Sequence, residues 1–441
     1  MRLKQFFLLL LPALIAGTLQ AQQRQIEFVE YTLENGLHVI LHQDNTTPVV
    51  AVTVTYHVGS KNENADRTGF AHFMEHLMFE GSANIERGEY FKIVQDAGGQ
   101  VNAYTSQDKT HYYELLPSNQ LELGLWMEAE RMLHLVIDSL GVETQRSVVK
   151  EERSQRYDNQ PYGSIFEEIF RRAFTKHPYN WTPIGSVQYI DEAKLEEFQD
   201  FHRTYYVPNN AVLAIAGDID ISVTKELVEK YFSEIPSGKK SMYRPDINEP
   251  ELGGEVRDVV YDNIQLPAVI QAYRIPQKGH PDSYALEMLT NILSSGQSSR
   301  MHKAIVDDQQ KGLAVFSFPF PLADPGLFIV FGIANMGIDP MELEAAIDEQ
   351  IELFKKEGMS EREFQKSRNM AETSFVTANA RMSTIADNLA EYHIFYGDAG
   401  LINTEIDRYM QVSMDDILQV ANKYLNNDNR VVLHYLPKSE Q

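Results

Sequence analysis

One order of helix-like and strand-like segments runs through this chain twice, and that repetition limits the fold more than any other feature. In the first half a strand-like run at 49–57 leads to a helix at 69–81 and a second helix at 86–97. Strands near 101–104 and 110–116 follow, then paired helices to about residue 157. The second half answers with a strand at 268–275, helices at 284–293 and 299–307, strands at 313–319 and 327–334, and helices at 340–356 and from 361 onward. Each half closes alike, with helix 195–206 then strand 211–216, and helix 415–424 then strand 431–436. Two similar α+β domains are expected, each a mostly antiparallel sheet flanked by helices. Between them, Ser237-Gly238-Lys239-Lys240 through Pro245, Pro250 and Gly253-Gly254 is polar and rich in breakers, so 237–255 reads as a linker. That places one domain at 22–236 and the other at 256–441.

The first helix carries chemistry. Its segment His72-Phe73-Met74-Glu75-His76 has the order His-x-x-Glu-His, the pattern of an inverted zinc peptidase site. Residues four apart in a helix stand one turn above each other, so His72 and His76 can aim nitrogens at one ion about 2 Å from each. Glu75 shares roughly that face, which lets its carboxylate reach a zinc-bound water as general base without being a ligand. Zinc brings the pKa of its water from about 15.7 to roughly 7, and the reaction class implied is amide hydrolysis. The bland alternative is a half-buried helix whose histidines merely pack beside Phe73, Leu77 and Phe79.

A third ligand decides between these, because catalytic zinc usually takes three protein ligands and keeps one open position. The stretch from Glu143 to Arg153 reads as an amphipathic helix with an acidic end, in which Glu152 is a better candidate than Glu151. Here the chain resembles the short form of the pitrilysin and insulinase family of zinc metallopeptidases, which includes mitochondrial processing peptidase subunits. In that family a glutamate ligand follows the second histidine by about 76 residues, and Glu152 stands at that distance from His76. Further segments match the family pattern: Gly98-Gly99-Gln100-Val101-Asn102-Ala103-Tyr104-Thr105, His177-Pro178-Tyr179-Asn180 with Ile184-Gly185-Ser186, and Tyr205-Tyr206-Val207-Pro208-Asn209-Asn210-Ala211.

The resemblance implies one zinc ion per chain and two domains forming half of a clamshell. It also implies an edge strand beside the zinc that takes a peptide substrate as an added strand. Gly99, Val101, Asn102, Ala103 and Tyr104 fall where that strand should be, and backbone recognition of this kind favours unfolded segments with modest sequence preference. The alternative is a tight turn at Gly98-Gly99 followed by a strand paired only internally.

Two departures from the family pattern matter. A supporting glutamate seven residues before the third ligand is replaced by Gln145, which keeps a hydrogen bond but loses the charge. An arginine and a tyrosine that grip substrate in single-chain members fall on Asp308 and Val315. The resemblance therefore implies a heterodimer in which a related subunit supplies that pair, with a homodimer as the other possibility. Arg300 is a candidate local substitute, against a plainer role at a helix start.

Laying Gly81 over Gly296 sets Glu287, Thr290 and Asn291 where the first half has His72, Glu75 and His76, so the second repeat keeps the helix without the chemistry. Two rival functions stay open: a non-catalytic scaffolding subunit of a peptidase-like complex, and a structural zinc protein with every position filled.

Composition narrows the setting. Met1-Arg2-Leu3-Lys4, the apolar run from Phe6 to Ala16 and Leu19-Gln20-Ala21 read as a signal peptide at 1–21, and no later run approaches the roughly 20 apolar residues of a membrane helix. With no cysteine in the chain, export points to a periplasm, or else to secretion. A net charge of −24 argues against nucleic acid. That charge suits either an acidic chamber for basic peptides or simple solubility.

Overall fold

The computed structural model describes residues 25–239 and 242–438, so the expected signal peptide lies outside the described residues. In chain order the first half contains β1 (Val29–Thr32), β2 (His38–Gln43), β3 (Val49–Tyr56), α1 (Phe70–Leu77), α2 (Tyr90–Asp96), β4 (Gln100–Thr105), β5 (Thr110–Pro117), α3 (Leu121–Leu133), α4 (Ser139–Arg153), α5 (Ile165–Ala173), α6 (Val187–Glu192), α7 (Leu195–Tyr205), β6 (Ala211–Gly217) and α8 (Ile221–Phe232). The second contains β7 (Val256–Asp262), β8 (Ala268–Ile275), α9 (Pro281–Leu293), β9 (Gly312–Phe320), β10 (Gly326–Ala334), α10 (Pro340–Glu357), α11 (Glu361–Ala378), α12 (Met382–Tyr396), α13 (Glu405–Gln411), α14 (Met414–Tyr424) and β11 (Arg430–Pro437).

The two sheets run in the orders β1-β2-β6-β3-β5-β4 and β7-β11-β8-β10-β9. Without β1, each has the same topology, including one parallel pair, β2 with β6 and β7 with β11, in otherwise antiparallel ladders. The repeat expected from sequence is therefore present strand for strand, and α1 and α9 occupy equivalent places. The fold is α+β, two similar sheets flanked by helices.

Two expected helices differ. The helix expected from residue 86 begins at Tyr90, because Gly88 at φ 79° breaks it and Glu89 N closes a turn on Glu86 O. The segment expected as a helix at 299–307 is a wide π turn over His302–Asp308, in which Gln309 N bonds Ala304 O. Gln310, at φ 53°, then turns the chain into β9.

Packing does not follow the chain order. In β3, Val50, Val52 and Val54 face the helices of the first half, whereas Ala51 faces the opposite way. That opposite face, with Ile40, Val212, Ala214 and Ala216, is covered by Ile385, Ala386, Leu389 and Ala390 of α12, a helix from the second half. Small alanines let α12 approach the strands closely. Reciprocally, Ile169, Phe170 and Ala173 of α5 cover Ile270, Ala272, Ile329 and Leu433 of the second sheet. Both faces of each sheet are thus buried, which explains uninterrupted apolar strands such as Ala211–Gly217. Residues 237–255 part the two sheets along the chain, yet each sheet takes one of its two covers from the other half.

Polar contacts reinforce this exchange. Lys61 Nζ lies 2.8 Å from Asp108 and 3.0 Å from Asp324 of the second half. Lys109 Nζ, nearly buried, lies 2.7 Å from Asp387 and 2.6 Å from Glu391 on α12.

Candidate metal and peptide site

Helix α1 turns Phe70, Ala71, Phe73, Met74 and Leu77 inward, which leaves His72, Glu75 and His76 on its half-buried face. Phe70 and Phe73 both stack on Phe198 of α7, at 4.6 and 4.4 Å between ring centroids, and so set the helix rotation. Its N-terminus is held by Glu63, whose carboxylate accepts from Gly69 N at 2.9 Å, Ala71 N at 2.8 Å and Trp181 Nε1 at 3.1 Å. Burial pushes the Glu63 carboxyl up to about 8 against these hydrogen bonds. Gly69 begins the helix at φ 98°, and Gly185 presses so closely on it that a Cβ on Gly185 would come within 2.3 Å of Gly69 Cα. The Ile184-Gly185-Ser186 segment thereby gains a physical role as the wall behind the motif.

Helix α4 brings Glu152 to the histidines. Its Oε2 stands 3.1 Å from His76 Nε2 and 3.6 Å from His72 Nε2, and the imidazole planes are 84° apart. Glu151, one residue earlier, instead accepts from Gln155 on the exposed side. Just past Glu152 the helix widens into a π turn over Ser154–Asp158, and Arg156 from that turn pairs with Glu152 Oε1 at 2.8 Å. The hydrogen bond from His76 holds the Glu152 carboxyl down at about 2 against the opposing effect of burial, with the charges of His72, His76 and Arg156 adding to it. Burial pushes His72 down to about 4, helped by His76, so its imidazole is neutral near pH 7.

Gln145, one helical stretch before Glu152, accepts at Oε1 from His76 Nδ1 at 3.1 Å and donates through Nε2 to Glu80. Glu80 offers only acceptors, so the amide must turn its NH2 there, and His76 Nδ1 must carry its proton. His76 Nε2 faces Glu152 Oε2, and with a metal between them it would turn its lone pair to the ion. The charge missing at Gln145 is found at Glu80, which pairs with Arg87 at 2.6 Å, and Arg87 with Asp138 at 2.8 Å. Asp138 caps α4 through Gly141 N, closing the circuit on the helix that carries Glu152. The sequence reading missed Glu80; its place four residues after His76 on the motif segment was the available signal.

Glu75 is not part of the trio. It accepts a 2.6 Å hydrogen bond from Thr105 Oγ1, and burial raises its pKa, opposed by that bond. Two imidazoles and one charged carboxylate within 4.8 Å of one another form a donor set suited to a divalent zinc ion, with the Glu75 carboxylate beside it.

These side chains line a cleft of about 600 Å³ together with Phe79, Phe91, Val148, Tyr157, Pro183 and Ile184. Asn102, Ala103 and Tyr104 line it too, from β4, which among the described residues pairs only with β5 and leaves its other edge free. Gly99 and Val101 are not on the cleft wall. Gly99 precedes the strand, where a Cβ would fall 2.5 Å from Leu116 Cδ2, and Val101 packs against the first core. Tyr104 donates its hydroxyl to Asp387 of α12 at 2.8 Å, so the second half reaches the end of this strand.

The other expected substrate contacts lie elsewhere. Arg300 is engaged by Glu363 at 2.6 and 2.9 Å and lies over the Phe354 ring. Val315 is buried in the second core, and Asp308 ends the π turn. On α9, Glu287 accepts from Tyr409, and no histidine occupies the place of His72 or His76.

Known proteins share this plan. Residues 38–185 match the family model described as insulinase, peptidase family M16, and residues 192–371 match that of the peptidase M16 inactive domain. The zinc protease PqqE of Helicobacter pylori is 31% identical over 426 residues, 96% of each chain. A crystal structure of a protease from Helicobacter pylori superposes with a TM-score of 0.90 at 31% identity, over 94% of this chain and 100% of that one. A peptidase M16 inactive domain from Pseudomonas fluorescens shares the fold, with a TM-score of 0.83 at 16% identity over 94% and 99% of the two chains. With its M16 domain followed by an M16 inactive domain, the chain belongs to the pitrilysin and insulinase family of peptidases, in the short two-domain form.

Proposed function

We propose that the protein is a zinc-dependent endopeptidase that cuts peptides or unfolded segments. The convergence of His72, His76 and Glu152 beside a separate, partly desolvated Glu75 carries this reading. Zinc held by the trio would supply Lewis acidity toward water and the scissile carbonyl. Glu75 takes the proton of the attacking water as its oxygen bonds to the carbonyl carbon. It returns that proton to the amide nitrogen as the C–N bond breaks. Thr105 fixes the Glu75 oxygen that it bonds, while the free edge of β4 pairs with the substrate backbone. A structural zinc site would have no use for a carboxylate held in this place.

A related second subunit supplies the arginine and tyrosine that Asp308 and Val315 replace here, and completes the clamshell. Support comes from Arg300, whose guanidinium is already bound to Glu363. The protein acts after export, in agreement with its basic and apolar opening segment. No helix of the described residues is long and apolar enough to cross a membrane.

The deciding experiment measures cleavage of a quenched fluorescent peptide library and zinc content on one sample, for wild type and Glu75→Gln. Cleavage should vanish in the variant with zinc retained. Equal cleavage by both would end the general-base assignment, and ordinary turnover of about 1 to 1000 per second by the lone chain would end the two-subunit one.

A further inference from the structure

We propose a second metal site, independent of the peptidase reading, in which His38, His393 and Glu30 hold a divalent cation of zinc-like chemistry. These residues come from three elements that only the tertiary fold assembles. Glu30 on β1 pairs with Ile40 of β2, which puts His38 on the diagonal, and His393 arrives on α12 from the second half. Glu30 Oε2 lies 3.1 Å from His38 Nε2 and 3.9 Å from His393 Nδ1. Ligand atoms around a tetrahedral zinc at about 2.0–2.2 Å stand roughly 3.3–3.5 Å apart, so the observed separations straddle that value. Among the described residues, this trio and the His72 trio are the two groups of His and carboxylate side chains close enough to share an ion.

The surroundings favour an ion here. Thr32 Oγ1 bonds His38 Nδ1 at 3.0 Å, which occupies that nitrogen and directs Nε2 to Glu30, as supporting partners of metal-bound histidines do. The two rings stack at 3.4 Å, 10° from parallel, so a shared ion requires one of them to turn about its Cβ–Cγ bond. His393 is the more exposed of the two, 30% against 14%, and its ring makes no hydrogen bond among the described residues, so it is the ring that would have to swing out of the stack. Three protein ligands leave room for water on the metal and suit zinc, nickel or copper. Bound there, an ion ties the first hairpin to α12, the helix that covers the first sheet and holds Tyr104 through Asp387.

The test is equilibrium dialysis of the tag-free protein against Zn2+, with metal counted per chain, on wild type, His393→Ala, His38→Gln and His76→Ala. Wild type should bind two ions. His393→Ala and His38→Gln should each bind one and still cleave peptide wherever wild type does, and His76→Ala should keep the second ion. Added Zn2+ should raise the thermal midpoint of His76→Ala but not that of a His76→Ala, His393→Ala double variant. Circular dichroism identifies any variant that fails to fold, and two histidine variants on different elements keep the comparison valid. An ion count in folded His393→Ala or His38→Gln equal to that of wild type overturns the proposal, whereas a wild-type ion lost only in His76→Ala belongs to the first trio.

Discussion

Thr105 Oγ1 donates to Glu75 Oε2 at 2.6 Å, tying the last residue of the exposed strand to the carboxylate of the motif helix. Strand and base are thus one unit: whatever displaces β4 displaces the group that handles the proton. Thr105→Val removes a hydrogen bond to a charged acceptor, worth about 1.5–3 kcal/mol. Turnover should fall roughly 10- to 100-fold, a range equal to that energy at 1.4 kcal/mol per decade. The bond favours the charged form, so its loss raises the Glu75 pKa further, and the acid limb of the kcat/KM profile should move to higher pH. Thr105→Ser should retain both values; a Val variant with an unmoved acid limb would separate the strand from the base.

Gln145 is more than a weakened glutamate. Restoring the charge with Gln145→Glu would set two carboxylates against each other at Glu80, so that variant should be less stable than wild type by about 1–3 kcal/mol at pH 7. Gln145→Leu, which leaves His76 Nδ1 without an acceptor, should weaken zinc binding about 10- to 100-fold. Chelator competition measures the second and urea unfolding the first. Tighter zinc binding in Gln145→Glu would mean that Glu80 does not stand in for the missing charge.

Asp387 joins the halves beneath the substrate strand. It receives Lys109 at 2.7 Å and Tyr104 at 2.8 Å, with Lys109 7% exposed. Asp387→Ala leaves a buried cation with Glu391 as its remaining carboxylate, so the cost should fall below the about 3–5 kcal/mol of a fully broken buried pair. Thermal unfolding should register that loss. Tyr104→Phe should destabilise far less but raise KM for peptides, because the free strand edge loses its anchor while zinc content stays the same.

Arg300 gives a pH prediction. Its hydrogen bonds to Glu363 hold that carboxyl down at about 2, against burial and with help from Ser360 at the start of α11. A folded pKa below the unfolded value of about 4.3 contributes stability that is full above pH 4.3. The contribution is lost as pH falls toward 2. Arg300→Ala should therefore lower stability by about 1.5–3 kcal/mol at pH 7, and the gap from wild type should close on acidification. Peptide cleavage by the variant should be unchanged; a large loss of turnover would restore Arg300 as a substrate contact.

Much of the site was legible because its spacing is local. His72, Glu75 and His76 share one helix, whose 3.6-residue period alone sets them on a common face. Glu152 lies on a different helix, where the amphipathic pattern prefers it to Glu151 and the spacing of the family pattern selects it. Gly99 and Val101 fall with the substrate strand by contiguity with their neighbours alone. Their side-chain space, one position filled by Leu116 and the other by the core, depends on strand register that a sequence pattern does not state. Arg300 fits either role by sequence, and its binding by Glu363, distant in the chain, is a product of the fold.

The chain by itself determined the order of elements, the duplication of the sheet and the motif face, since propensity, hydrophobic period and spacing act over a few residues at a time. Tertiary structure alone decided which helix covers which sheet. The outer faces of both sheets are apolar, and nothing local distinguishes a cover from the same half from one donated by the other. The crossing of α5 and α12, and with it the link from Asp387 to the strand beside Glu75, is settled by long-range burial. The His38, His393 and Glu30 cluster has the same cause, because packing brings His393 from the second half onto the first hairpin.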